Sequence, residues 1–165
     1  MSFEIPLEDK REDQPFWETK TLDQMDTHEW ESLCDGCGRC CFVKLEDEDT
    51  QDVYFTSVIC HLFDEKTCQC SDYARRLERV PDCMKLTPAL IHTTQWLPIT
   101  CAYRRIAEGR GLAWWHPLLS GTIDTVHSAG ISVRGRITAI EGQITDEDAI
   151  EHIIDWPMQD MELKT

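Results

Sequence analysis

Hydrophobic positions along the chain predict short helices and strands that are separated by many polar turns. An apolar stripe at helical spacing predicts a first helix over residues 22–33. The residues of this stripe are Leu22, Met25, Trp30 and Leu33. Two capping-box pairs fall near its start, Thr21 with Gln24 and Asp26 with Glu29. This helix would lead directly into the first cysteines of the chain.

Three later segments carry helix start or stop signals. Residues 73–79 are predicted to form a helical turn. A threonine followed by proline, the typical order of a cap and a first helical residue, predicts a short helix over residues 87–92. Residues 101–108 are a third helix candidate, and Gly109 would end it.

Strand signals are fewer. Residues 53–59 are rich in β-branched and aromatic side chains, which predicts a short strand. Apolar residues alternate over residues 131–139, which predicts a second strand with Gly135 at a bulge or turn. A final helix is predicted to begin at residues 145–148. It would carry Ile150, Ile153 and Ile154.

The order of these elements predicts the fold class. Residues 1–15 are polar and are expected to form a loose N-terminal segment, and no later stretch has the composition of a linker. We therefore predict a single domain over residues 1–165. Its class is α+β, small and loop-rich, with short helices and few short strands around a cysteine-bound metal centre.

The net charge of the chain excludes some classes of binding partner. The net charge is −15, and a surface this negative repels nucleic acid and anionic lipid. No stretch reaches the ~18 apolar residues of a membrane span, and no signal peptide is visible, so we expect a cytoplasmic protein that binds neither nucleic acid nor membrane. The acidic ends flank a mildly basic middle. This charge pattern either serves solubility, or its basic residues offset thiolate charge or dock the acidic ends. The basic residues in question are Arg75, Arg76, Arg79, Arg104, Arg105 and Arg110.

The nine cysteines carry the candidate chemistry. They are Cys34, Cys37, Cys40, Cys41, Cys60, Cys68, Cys70, Cys83 and Cys101. An odd number cannot pair completely as disulfides within one chain, and cytoplasmic thiols stay reduced. Clustered cysteines in such a compartment indicate metal ligands.

The run CDGCGRCC over residues 34–41 is the most informative segment. A two-residue spacer lets two thiolates reach one ion, and glycine permits the tight turn between them. Adjacent side chains leave the backbone in different directions, so Cys40 and Cys41 more naturally serve two nearby ions, or one ion and one redox role. Eight cysteines would fill two four-ligand sites, with Cys68 in reserve. Thiolate ligands alone do not separate zinc from an iron–sulfur cluster.

This run resembles the CxxCxxCC signature of a bacterial group described as zinc- or iron-chelating, and within it the chain is similar to the YcgN family. The similarity extends from the segment PFW at residues 15–17 to HPLL at residues 116–119. The resemblance implies a metal-binding protein. It also implies that Cys60, Cys70 and Cys83 occupy the group's downstream cysteine positions.

Histidines and tryptophans are weaker candidates. His61 adjoins Cys60 and is the best placed of the six histidines for a metal, although a solvated or hydrogen-bonded histidine is the simpler interpretation. Trp114 and Trp115 are typical of a core or an interface. No phosphate-binding loop and no nucleophile elbow is present in the sequence.

Three functions remain open. The leading hypothesis is a cytosolic protein that holds zinc or iron through clustered thiolates. The second is an iron–sulfur redox protein or enzyme. The third is a metal-handling or adapter protein that binds a protein partner through its acidic ends and Trp114-Trp115.

Overall fold

The computed structural model describes residues 13–159, so the predicted loose segment 1–15 lies almost wholly outside the described residues. Short helices dominate the rest. The α-helices are α1 Phe16–Thr19, α2 Thr27–Ser32, α3 Arg76–Arg79, α4 Pro88–Thr93, α5 Ala102–Ala107, α6 Pro117–Ser120, α7 Asp124–Ser128 and α8 Asp146–Ala149. Single 3₁₀ turns lie at Leu22–Gln24, Arg39–Cys41, Tyr73–Arg75, Ile150–His152 and Trp156–Met158.

The strands form one small sheet and one hairpin. They are β1 Phe42–Glu46, β2 Val53–Ile59, β3 Phe63–Asp64, β4 Gln69–Cys70, β5 Ala139–Ile140 and β6 Ile153–Ile154. In the sheet, β2 pairs with β1 on one edge and with both β5 and β6 on the other. The β5 pairing is parallel and the other two are antiparallel, whereas β3 and β4 form a separate hairpin. The predicted α+β, loop-rich class is confirmed.

The prediction of one helix over residues 22–33 is wrong, because the segment forms two short helices. Both capping boxes exist: Gln24 Oε1 accepts from Thr21 N at 3.0 Å, and Asp26 Oδ1 accepts from Glu29 N at 2.8 Å. A capping residue adopts extended backbone angles, as Asp26 does with ψ of 174°. The second cap therefore ends the first helical turn and starts α2.

Several elements match their predictions. The strand over residues 53–59 has those bounds as β2. In α4, Thr87 Oγ1 accepts from Leu90 N at 3.3 Å, and α5 starts after Cys101 and is followed by Gly109 at φ +73°. The helical turn at residues 73–79 is also present.

The C-terminal third departs from prediction in two places. Residues 131–137 form irregular backbone instead of a strand, since Ile131 N bonds Val126 O and Val133 N bonds Cys37 O. Their alternation reflects burial of Ile131 and Val133 rather than strand pairing. The final helix starts at Thr145 as predicted but stops short of Ile153–Ile154, which pairs as β6 with β2.

Within residues 13–159, the interior consists of three small apolar clusters instead of one large core. The first contains Leu22, Leu33, Ile91, Leu97 and Tyr103; the second Cys37, Ala113, Trp115, Val126 and Ile131; the third Phe42, Phe55, Ile59, Cys68 and Val133. The cysteine loop and β1 run between these clusters. Small, separate cores limit the stability that apolar burial alone supplies.

Candidate metal centre

The cysteine run is a tight loop that joins α2 to β1. Gly36 and Gly38 hold φ angles of +74° and +78°, which favour glycine, and Cys41 N donates to Gly38 O at 3.0 Å. The loop thus turns twice within eight residues. Four thiols are presented from a short stretch between a helix end and a strand start.

A buried carboxylate and a buried arginine fix this loop. Asp35 accepts hydrogen bonds from Cys37 N at 3.0 Å and from Trp115 Nε1 at 3.4 Å. Arg39 is fully buried, and its Nε donates to Ile131 O at 2.7 Å. Sequence reasoning missed both roles, because these groups find their partners far along the chain.

Six of the nine cysteines line one cavity of about 770 Å³. They are Cys34, Cys40, Cys41, Cys60, Cys70 and Cys83. All nine cysteines are free thiols. The structure therefore brings together thiols from the CDGCGRCC loop, from the end of β2, from β4 and from the loop after α3.

The remaining three cysteines lie off this cavity. Cys37 is buried in the second apolar cluster and Cys68 in the third. The Cys68 thiol points at Cys37 O, 3.9 Å away. Cys101 precedes α5 and packs against the first apolar cluster.

Electrostatic neighbours divide the thiols into two sets around Cys40 and Cys41. The first set, which we call the inner set, is Cys34, Cys37, Cys40 and Cys101; Cys40 acts electrostatically on each of the others. The second, the outer set, is Cys41, Cys60, Cys70 and Cys83, in which Cys60 is influenced by Cys70 and Cys83 and itself influences Cys41. The two sets meet at Cys40, which also acts on Cys83 and whose thiol is hydrogen-bonded to the Cys41 thiol.

Burial raises the pKa of most of these thiols, which favours their protonated form as long as no metal ion is bound. Desolvation raises the pKa of Cys34, where Asp35 and Cys40 add negative charge, and raises that of Cys101 to about 12. By accessible surface Cys34 is exposed, and it lines the cavity. Cys40 differs, because a hydrogen bond with the Cys41 thiol lowers the pKa of Cys40 and raises that of Cys41.

Lys44 supplies positive charge at the cavity wall. Its ammonium donates to Cys40 O at 2.7 Å and to Phe42 O at 2.9 Å, and it lies 4.5 Å from the centre of the Trp96 ring. Burial lowers the lysine pKa, while neighbouring thiolates, Cys40 first, raise it. Sequence reasoning overlooked Lys44, whose only signal was its position three residues after Cys41.

The arginines named as counter-charges lie in different places. Arg76 lines the cavity, where its charge lowers the pKa of Cys83 against the larger effect of burial. The others with described ion pairs bind carboxylates instead: Arg75 pairs with Glu78, Arg79 with Asp72, and Arg104 and Arg110 with Glu108. Arg76 is thus placed to offset charge on Cys83, as Arg39 is for Cys37.

The spacing of the sulfurs tests which metal fits. In a closed zinc site, four sulfurs about 2.3 Å from the ion are about 3.8 Å apart. Among residues 13–159, no three cysteine sulfurs lie within 4.8 Å of one another. The donor chemistry fits zinc or iron, but the spacing in this structure is wider than one closed tetrahedral zinc ion requires.

In the described part of the chain, one group of mixed residue types does have its three donor atoms within 4.8 Å of one another. Its donor atoms belong to Cys60, His61 and Glu141. Three other histidines make hydrogen bonds within the fold: His116 Nε2 lies 2.8 Å from Leu33 O, His127 Nδ1 lies 2.7 Å from Ser132 Oγ, and His152 Nδ1 lies 2.7 Å from Thr138 Oγ1. His61 was the histidine best placed by sequence, whereas Glu141 was missed.

Comparison with known proteins shows which family the chain belongs to. A protein from Rhodopseudomonas palustris named UPF0260 is 55% identical over 93% of this chain and 90% of its own length. The chain belongs to the UPF0260 family. A UPF0260 protein of Mesorhizobium japonicum is 62% identical over 86% of this chain and 96% of its own, and one of Brucella canis is 56% identical over 86% and 94%.

The cysteine region of this UPF0260 chain also matches a domain family. The model of the CxxCxxCC family, described as a "putative zinc- or iron-chelating domain", covers residues 33–102. That range includes all nine cysteines. The names of the UPF0260 relatives state no activity, so the narrower resemblance to YcgN proteins stays a prediction. No solved structure matches the chain, and no helix within residues 13–159 is long and apolar enough to cross a membrane.

Proposed function

We propose that this UPF0260 protein is a cytoplasmic metal-binding protein that holds zinc or iron through the thiolates of its cysteine cluster. The observation that carries the proposal is the convergence of six free thiols on one cavity. Cysteines used only for packing would be buried among apolar side chains, as Cys37 and Cys68 are. The cavity thiols instead face a shared space beside the Lys44 ammonium.

The metal would also hold the fold together. The cavity walls come from separate loops, and each apolar cluster is small. Structural zinc in finger peptides contributes about 10–16 kcal/mol of apparent binding free energy. A contribution of that order exceeds what most small cores provide, so removing the metal would loosen the cysteine loop first.

The wide sulfur spacing supports a second candidate, an iron–sulfur cluster. A cluster binds its cysteines through different iron atoms, so its ligand sulfurs lie further apart than those around one ion. The outer set contains four thiols that all line the cavity, enough for a cluster. Such a centre would make the protein a redox protein or an enzyme.

A third candidate is a metal-handling or adapter protein. Exposed apolar side chains in and after the Trp-Trp segment support it, since Trp114 is 61% exposed and Leu119 is 51% exposed. Large apolar side chains that are exposed close together in the sequence are typical of surfaces that contact protein partners. This candidate predicts metal that exchanges readily with a chelator.

Anaerobic purification followed by elemental analysis and an absorption spectrum tests these candidates. We expect bound zinc or iron in the wild-type protein. Colour from sulfur-to-iron charge transfer would indicate a cluster, and a colourless zinc protein would exclude one. A well-folded wild-type protein without metal would refute the proposal.

Two single substitutions localise the metal. Cys40→Ser removes a cavity thiol that faces other cysteines of the inner set, so we expect the metal content to fall. Cys68→Ser is the matched control, because this thiol lies outside the cavity and points at a carbonyl. Equal metal content in wild type and Cys40→Ser would contradict the assignment to this cavity.

A further inference from the structure

The parallel pairing of β2 and β5 places two distant segments side by side. Ile59 pairs with Ile140, and Glu141 N donates to Ile59 O at 2.8 Å. Both strands end at this point. Because parallel strands end at the same edge of a sheet, the residues that follow them, Cys60-His61 and Glu141, meet there.

The backbone holds these residues firmly. Cys60 N donates to Cys41 O at 3.0 Å, and Phe63 N donates to Cys60 O at 3.0 Å. Together with the Glu141 hydrogen bond, these contacts fix the backbone on both sides of the group. The sulfur, the imidazole nitrogen and the carboxylate oxygen then all lie within 4.8 Å of one another.

The distance between imidazole and carboxylate fits two ligands of one ion. His61 Nδ1 lies 3.3 Å from Glu141 Oε2. A nitrogen and an oxygen each about 2.1 Å from a tetrahedral zinc ion are about 3.4 Å apart, whereas charge-assisted hydrogen bonds are typically about 2.7–2.9 Å long. An ion pair between these two exposed groups would contribute little to stability, and it would not explain the thiol beside them.

We propose that Cys60, His61 and Glu141 bind one divalent ion of the zinc class, separate from the ions held by the other thiols. A thiolate, an imidazole and a carboxylate are all zinc ligands, and three protein ligands leave a fourth position open. His61 is exposed, and Cys60 and Glu141 line the cavity. The open position is therefore accessible to water or to a small ligand.

This assignment goes beyond the thiolate-bound centre, because two of its three donors are not cysteines. It takes Cys60 out of the outer set and leaves Cys41, Cys70 and Cys83 to the metal proposed above. A site with an open position suits an exchangeable or a reactive metal. A closed thiolate site suits a structural one.

The test is zinc stoichiometry in protein made metal-free and then titrated with Zn²⁺ under anaerobic, reducing conditions. We expect His61→Ala and Glu141→Gln each to bind one zinc equivalent fewer than wild type, with the remaining equivalents retained. His28→Ala and Glu48→Gln, which change exposed residues outside the cavity lining, are matched controls and should bind as wild type. Circular dichroism checks that each variant is folded.

The outcomes separate this inference from the proposed function. Unchanged zinc stoichiometry in both His61→Ala and Glu141→Gln, with zinc bound by wild type, overturns the mixed site and leaves the thiolate centre standing. Conversely, one equivalent that is lost in these variants but retained in Cys40→Ser supports the mixed site, and a different equivalent lost in Cys40→Ser supports the thiolate centre. Absence of zinc binding by wild type overturns the mixed site alone, because the proposed function is tested separately by the zinc and iron content of the anaerobically purified protein.

Discussion

Gly38 offers a sharp test of the packing around the cysteine loop. Its φ angle is +78°, and a Cβ at this position would lie 2.7 Å from Phe63 Cζ and 2.9 Å from Val133 Cγ2. Both distances are shorter than any real carbon contact. Gly38→Ala should therefore destabilise the protein through backbone strain and through overpacking together.

The magnitudes of the two effects can be separated. The left-handed conformation costs a non-glycine residue about 1–2 kcal/mol. Overpacking a filled interior costs about 1–3 kcal/mol, and Val133 is fully buried with its N–H bonded to Cys37 O, so it cannot move freely. The free energy of unfolding should fall by about 2–5 kcal/mol in Gly38→Ala.

Gly135→Ala is the matched control for this experiment. Gly135 has the same φ of +78°, but an added Cβ meets no atom within 4 Å. In the control, alanine therefore adopts the strained left-handed conformation but meets no clash. The effect of alanine on the free energy of the unfolded chain is the same in both variants.

Urea denaturation of the two variants and wild type measures the difference. We expect Gly38→Ala to lose about 1–3 kcal/mol more than Gly135→Ala. Metal content should fall in Gly38→Ala alone, because Gly38 O accepts the Cys41 N–H and a displaced loop carries Cys40 and Cys41 with it. Equal losses in the two variants would refute the close packing of Gly38 against Phe63 and Val133.

Two further predictions concern the helix that precedes the cysteines. Asp26→Ala removes the cap of α2 and should lower the free energy of unfolding by about 1 kcal/mol, as measured in urea, whereas Asp49→Ala in an exposed turn should change it little. The hydrogen bonds from Lys20 lower the pKa of Glu29 below its ordinary 4.5. This pair therefore stabilises the fold above pH 4.5, and its contribution disappears as the pH falls through the lowered pKa. Lys20→Met should be less stable than wild type at neutral pH, and the gap should close in acid; a gap that persists in acid would contradict this origin.

Local rules explain which elements were predictable. The caps at Thr87 and Thr145, the strand over residues 53–59 and the stop at Gly109 all depend on neighbours within about four residues, so their residue types suffice. The first helix was predicted as one element because its apolar stripe is continuous. The break at Asp26 shows that a second cap outweighs the stripe.

Long-range pairing explains what was missed. Residues 131–137 alternate as a strand would, yet they bond to loops, and Ile153–Ile154 leaves the predicted helix to pair with β2. Neither outcome can be read from a window of neighbours. Each depends on which edge of β2 is free once the rest of the chain has packed.

The same division holds for the candidate metal centre. By itself, the sequence determined that nine thiols exist, that four lie in one glycine-turned loop, and that their chemistry suits zinc or iron. Only the tertiary structure decided that six of them face one cavity while Cys37 and Cys68 enter apolar clusters. It also placed Glu141 beside His61, eighty residues earlier in the chain. The physical reason is that ligand type is a property of each residue, whereas ligand spacing depends on strand pairing between distant segments.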